Sequence, residues 1–156
     1  VNLEIRIAAH RDVHESMKVS LEAFESVRSV YRPNHEAMRR QKDRKMQGTR
    51  LVADLDGRTV GTLQFSEHKD HLHIMDLGVL PDFQRKGIGT RLVQWVCESA
   101  PRLGFGKIRA DTIEETGNVE FFKRLGFVPV ERRTAEWCES ERFDAVHEVV
   151  LERCIE

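Results

Sequence analysis

The run from Leu77 to Thr90 constrains this chain more than any other. An apolar strand end, Leu77-Gly78-Val79, meets a Pro81-Asp82 turn, and Gln84, Arg85, Lys86, Gly87, Ile88, Gly89 and Thr90 then open a helix. The first four N–H groups of a helix have no intrahelical partner, and the aligned peptide dipoles place partial positive charge there. Gly87 and Gly89 keep side chains away from those donors and permit backbone angles closed to other residues. Arg85 and Lys86 add full charges beside the turn, and the neighbouring glycines favour a phosphate role over two solvated loop cations. The stretch reads as a phosphate or pyrophosphate site. It is not a dinucleotide fingerprint, because G-x-G-x-x-G would need glycine at position 92, which is Leu92.

The rest of the chain supplies a mixed set of elements. Leu3, Ile5 and Ile7 alternate with Glu4 and Arg6 as a half-buried strand. Asp12 stands where a cap is needed, and Val13, Met17, Leu21 and Phe24 recur at helical spacing to about Val27. After Pro33 and Asn34, Glu36 to Met46 predicts a charged second helix anchored by Ala37, Met38 and Met46. Two strands follow, joined by an Asp56-Gly57 hairpin turn, with Gly61, Leu63 and Phe65 on one face of the second. A polar turn at His68 to Asp70 leads into a strand over about His71 to Val79. The helix after the glycine loop carries Ile88, Leu92, Val96 and Ala100 on its apolar face and ends at Pro101 and Gly104. Lys107 to Thr112 predicts a strand, Asn118 to Leu125 a helix closed by Gly126, and Phe127 to Glu131 and Ala145 to Leu151 the last two strands. With 156 residues and no linker or repeat, residues 1–156 are expected to form one domain.

Q-x-x-G-x-G at Gln84–Gly89, the preceding Val79-Leu80-Pro81 and the later run Phe121-Phe122-Lys123-Arg124-Leu125-Gly126-Phe127 resemble the GNAT (Gcn5-related N-acetyltransferase) superfamily. The element order matches that family too. The resemblance implies an α/β fold with a mostly antiparallel central sheet of six to seven strands flanked by about four helices. It implies acetyl-CoA as acyl donor, with its pyrophosphate on residues 84 to 90 (Gln84, Arg85, Lys86, Gly87, Ile88, Gly89, Thr90) and the Thr90 hydroxyl assisting. The pantetheine arm would lie along the strand ending at Val79, and backbone N–H groups of Leu77, Gly78 and Val79 would hold the thioester carbonyl. Family members often place Asn seven residues before a proton-donating Tyr; here those positions are Glu115 and Phe122. Asn118, one helical turn later, could replace the Asn by bonding the pantetheine or could simply cap its helix, and Phe122 could pack on the arm but cannot give a proton. The only tyrosine, Tyr31, lies in the segment that would shape the acceptor side.

The implied reaction is direct attack of an amine on the thioester in a ternary complex. A proton acceptor is then needed, and His73 and Asp76 compete for the role. Strict alternation places them on opposite strand faces. Solvent-facing imidazoles and a structural carboxylate are the bland readings of the same residues. The acceptor is a small-molecule or peptide amine; the alternative function, suggested by Phe122, is a non-catalytic acyl-CoA sensor. A net charge of −1 excludes the basic face of a nucleic-acid binder. Three scattered cysteines, Cys97, Cys138 and Cys154, argue against disulfides and against a zinc site, so no metal is expected. No run reaches the roughly 18 apolar residues of a membrane span and no signal-peptide core is evident, so the expected location is the cytoplasm. Dimers are frequent in the family, and pairing through an exposed C-terminal strand is the expected route to one.

Overall fold

Apolar alternation and helical periodicity resolve, in a computed structural model describing residues 2–44 and 47–156, into a mixed α/β fold. In chain order the elements are β1 (Leu3–Ile7), α1 (Val13–Glu25), β2 (Arg32–Pro33), α2 (His35–Arg44), β3 (Thr49–Leu55), β4 (Arg58–Glu67), β5 (Leu72–Val79), α3 (Ile88–Leu103), β6 (Lys107–Ile113), α4 (Asn118–Arg124), β7 (Val128–Thr134), β8 (Cys138–Glu139) and β9 (His147–Cys154). Seven strands form one sheet in the order β1-β3-β4-β5-β6-β9-β7, while β2 and β8 make a two-residue ribbon that the sequence did not predict. Every pairing is antiparallel except β5 with β6. The expected anchor Met46 lies outside the described residues.

The β3–β4 hairpin turns where expected. Asp56 and Gly57 both have positive φ, 51° and 88°, the geometry that matches strand twist in a two-residue turn. Helix α3 covers one face of the sheet with Ile88, Leu92, Val93, Val96, Cys97 and Ala100, all buried. They meet Leu63, Phe65, Leu72 and Ile74 in the main core, which Phe122 and Phe127 extend beneath α4. Gly61 lets α3 approach: a Cβ there would stand 3.1 Å from Ile88 Cγ2. Helix α1 packs on the opposite face against β4 and β5.

The last strand is not an edge. β9 is paired on both sides, by β6 and by β7, so the expected dimer route through an exposed C-terminal strand is corrected. β7 is the edge instead, fully exposed, and its Pro129, Glu131, Arg132 and Arg133 are the residues that discourage edge-to-edge pairing.

The start of the chain is tied down by charge. Arg6 on β1 reaches Asp12 at 2.6 Å and Asp54 on β3 at 2.8 Å. Asp12 makes no side-chain cap bond to α1; its carboxylate instead accepts the Ala9 N–H at 2.7 Å. The Arg6 bonds first, and then the Ala9 N–H, pull the Asp12 carboxyl down to about 2. A folded-state value below the ordinary carboxylate range stabilises the fold at pH above about 4, and that contribution is lost as pH falls toward 2. Asp12→Asn should therefore lower the melting temperature at pH 7, and the gap to the wild type should close between about pH 4 and pH 2.

Contact between α1 and β5 is closer still. A Cβ at Gly78 would stand 2.9 Å from the Ala23 Cβ, which cannot swing away. Gly78→Ala is expected to cost about 1–3 kcal/mol. Chemical denaturation of the Gly78→Ala/Ala23→Gly double variant should show less than the sum of the single losses, since the second change restores the space.

Candidate functional site

Strand β5 changes character halfway along. Its pairing with β4 matches Ile74 to Phe65 and Asp76 to Gln64, so Met75 is an extra residue and β5 bulges there. Its parallel pairing with β6 ends at the same place, covering only Leu72, His73 and Ile74 against Ile108, Arg109 and Ala110. From Met75 onward one edge of β5 faces a gap. Leu80 N donates to Val60 O at 2.8 Å, which fixes the alternation: Leu80, Gly78 and Asp76 turn their peptide groups toward β4, and Leu77 and Val79 turn theirs toward the gap. Of Leu77, Gly78 and Val79, expected to hold the thioester carbonyl, Leu77 and Val79 thus face the gap, while Gly78 faces β4 and is the contact with α1.

The glycine loop closes the end of that gap. Gly87 adopts φ 81°, a left-handed conformation that suits glycine, and forms the N-cap of α3 without a side-chain cap bond. Arg91 N is bonded to Gly87 O at 3.0 Å, so the N–H groups of Ile88, Gly89 and Thr90 precede the first intrahelical bond. Arg85 also takes a positive φ, 62°, unusual for a residue with a Cβ. Gln84 ties the loop to the strand, its Nε2 donating to Val79 O at 3.0 Å. The cations cluster: Lys86 Nζ lies 5.6 Å and the Arg58 guanidinium 5.2 Å from the Phe83 ring centroid.

On the α1 side the two proton-acceptor candidates stand on one face, not two. Alternation would separate His73 from Asp76, but the extra residue at Met75 restores both to the face of their partners Ser66 and Gln64. Their surroundings differ. Asp76 Oδ2 accepts from Ser20 Oγ on α1 at 2.9 Å and from Arg50 Nη1 at 3.3 Å. Arg50, only 11% exposed, also donates to Thr62 Oγ1 at 3.0 Å and to Gln64 Oε1 at 2.7 Å. The Asp76 side chain is 30% exposed, and its Oδ1 is left by this network. His73 Nε2 lies 3.2 Å from Asp111 Oδ2 on β6, and the ring neighbours His68 and His71.

Ser20, Arg50, Thr62, Gln64 and Asp111 went unmarked in the sequence, because a polar residue alternating with apolar ones on a strand reads as solvent-facing. Here α1 covers that face, and Ser20, Arg50, Thr62, Gln64 and Asp76 are joined in one hydrogen-bond network.

Other expected site residues fall out as follows. Phe122 is 5% exposed in the core, with rings of Phe121 and Phe127 at 5.1 and 5.4 Å. Phe121 is the aromatic against the loop, its Cζ 3.4 Å from where a Gly89 Cβ would stand. Asn118 is the first residue of α4 and is exposed; Gly117, at φ 86°, is the N-cap. Glu115 holds β9, accepting the His147 N–H at 2.6 Å and lying 2.9 Å from His147 Nδ1. Burial pushes its carboxyl up, but the His147 bonds outweigh this and leave it below the usual range. Tyr31 packs edge-on against Phe24 and Trp137 at 5.3 and 6.1 Å, in a satellite core with Ile113, Ala135 and Val146. Burial first, then the Asp76 charge, pushes the Tyr31 hydroxyl up to about 12. Nearby, a shallow cavity of about 200 Å³ is lined by Glu136, Cys138, Glu139, Phe143 and Asp144, among others.

Known proteins resemble this chain in sequence and in fold. Residues 12–127 match the model of the acetyltransferase (GNAT) family. An uncharacterised N-acetyltransferase of Methanocaldococcus jannaschii is 32% identical over 85 residues, covering 49% of this chain and 38% of that protein. One of Bacillus licheniformis is 34% identical over 88 residues, covering 53% and 50%. The chain thus spans half or less of the length of these curated relatives. Among solved structures, that of yncA from Salmonella typhimurium with its cofactor acetyl-CoA superposes with a TM-score of 0.75 over 100% of this chain and 95% of that one, at 15% identity. On the family match over most of its length, and on the fold that carries it, this chain belongs to the GNAT acetyltransferase family.

Proposed function

We propose that the protein transfers an acetyl group from acetyl-CoA to a primary amine by direct attack within a ternary complex. The observation that carries this reading is the gap beside β5, with inward-facing amides at Leu77 and Val79 and the uncapped N-terminus of α3 at its end. The pyrophosphate rests on the N–H groups of Ile88, Gly89 and Thr90, flanked by Arg85 and Lys86. The pantetheine arm adds to the free edge of β5 as a short extra strand, with Phe121 beside the loop. The Leu77 and Val79 amides then meet the thioester carbonyl and stabilise the oxyanion.

Asp76 takes the acceptor's proton in this scheme. Ser20 and Arg50 fix its Oδ2, leaving Oδ1 to receive an ammonium. The free amine forms the new C–N bond, the C–S bond breaks, and the proton passes from Asp76 to solvent. No tyrosine acid assists departure in this scheme: Phe122 has no hydroxyl, and Tyr31 is packed between Phe24 and Trp137 in the satellite core. The nitrogen of the tetrahedral intermediate gives up its second proton to solvent as the C–S bond breaks, and the coenzyme A thiolate leaves as the anion and takes up a proton from solvent. Acidic residues around the satellite cavity, Glu136, Glu139 and Asp144, favour a cationic acceptor.

Steady-state thiol release from acetyl-CoA across a panel of amines tests the reading. Turnover with at least one amine is expected; tight acetyl-CoA binding without turnover on any would instead favour a sensor. Gly89→Glu should weaken acetyl-CoA binding about 30-fold or more by calorimetry, since like charges about 4 Å apart repel by several kcal/mol before solvent exposure reduces it. Unchanged binding would remove the loop assignment. Asp76→Asn should lower kcat/KM by about 100-fold and flatten the acid limb of its pH profile, whereas His73→Ala should leave that limb in place. The reverse pattern would move the base to His73.

A further inference from the structure

Where β5 begins, three imidazoles converge. His68 lies in the β4–β5 turn, His71 just before β5 and His73 within it. The His68 and His71 rings stack nearly parallel with centroids 4.8 Å apart, and His73 lies 5.4 and 6.0 Å from them. One ring nitrogen from each comes within 4.8 Å of the other two. A tetrahedral ion with metal–nitrogen bonds near 2.0–2.1 Å needs those nitrogens about 3.3 Å apart. Closing that difference takes modest side-chain rotation, and His68 is exposed on a turn and can supply most of it.

Two of the rings already have their second nitrogen occupied by a carboxylate. His71 Nδ1 lies 2.7 Å from Asp70 Oδ1, which leaves Nε2 with its lone pair when Nδ1 carries the proton. His73 Nε2 lies 3.2 Å from Asp111 Oδ2, which leaves Nδ1. A carboxylate on the far nitrogen fixes the tautomer and raises the basicity of a metal-binding imidazole. His71 is buried at 8% exposure, so its ring is held in place. Asp111 Oδ1 is buried with no hydrogen-bond partner among the described residues. The flanking cations are neutralised: Arg109 bonds Glu152 at 2.6 Å, and Lys107 lies 3.6 Å from both Asp70 and Glu152. The other grouping of similar ligands, Glu114, Glu115 and His147, is already consumed, since Arg132 holds Glu114 and His147 holds Glu115.

We propose that His68, His71 and His73 form a binding site for a divalent transition-metal ion of the zinc class, with Asp70 and Asp111 orienting two of the rings. Three neutral imidazoles select zinc, nickel or copper over magnesium or calcium, which prefer oxygen. The site lies at the opposite end of β5 from the acyl-transfer gap.

The test uses the tag-free chain of residues 1–156, stripped with a chelator and titrated with zinc chloride by calorimetry, with metal counted by elemental analysis after gel filtration. One zinc per chain at micromolar affinity or better is expected, with no comparable binding of magnesium chloride. His68→Gln and His71→Gln should each weaken zinc binding at least tenfold, and His147→Gln should leave it unchanged. If His71→Gln does not fold, His68→Gln on the exposed turn carries the test alone. No retained zinc, equal binding of magnesium, or zinc binding that both variants keep would each overturn the proposal.

Discussion

The open backbone edge of this structure follows from β5 losing one of its two neighbours. Up to Ile74 the strand is paired on both sides; beyond it only β4 remains. Peptide groups freed in this way at a buried position would cost as much as broken hydrogen bonds, so such an edge persists only where water or a ligand can satisfy it. The bulge at Met75 is coupled to this divergence. A bulge bends a strand and sharpens its twist, and the bend here begins at the residue after the last β6 pair. The gap is therefore built into the sheet rather than cut into it by side chains, which explains why backbone amides are its main resource.

The opposite face of the same strands shows what fills a sheet that is polar beneath a helix. Arg50 is nearly buried between β3 and α1, and it touches Thr62, Gln64 and Asp76. A buried guanidinium is tolerable only with such a full set of acceptors. The network fixes Asp76 by one oxygen and holds α1 in register through Ser20, while Gly78 permits the close approach. Stability and chemistry draw on the same residues. Removing Arg50 would leave Asp76 held by Ser20 alone among the described residues, so its effect on a reaction would be one of positioning.

Most of the architecture was legible because it is periodic. The apolar stripe Ile88-Leu92-Val96-Ala100, the Asp56-Gly57 turn and the glycine loop each carry a local physical signature, and each appears where the residues place it. The element order and the mostly antiparallel sheet follow from them. What was illegible depends on events that leave no local mark. A single extra residue at Met75 reverses the facing of everything after it, so His73 and Asp76 came out on opposite sides by counting and on one side in fact. The position of β9 inside the sheet is likewise a matter of topology: its Val149, Val150 and Leu151 read as any buried strand would. Phe121 and Phe122 are adjacent and chemically alike, and only the direction of α4 decides which one meets the loop.

The imidazole cluster and the amide gap are joined by the short stretch where β5 and β6 still pair. Leu72, His73 and Ile74 against Ile108, Arg109 and Ala110 form the vertex from which the strands diverge. His73 and Asp111 bond across it, one residue beyond the last pair on the β6 side. The three rings stand at this paired end of the two strands, and the open edge of β5 begins beyond it, from Met75 onward.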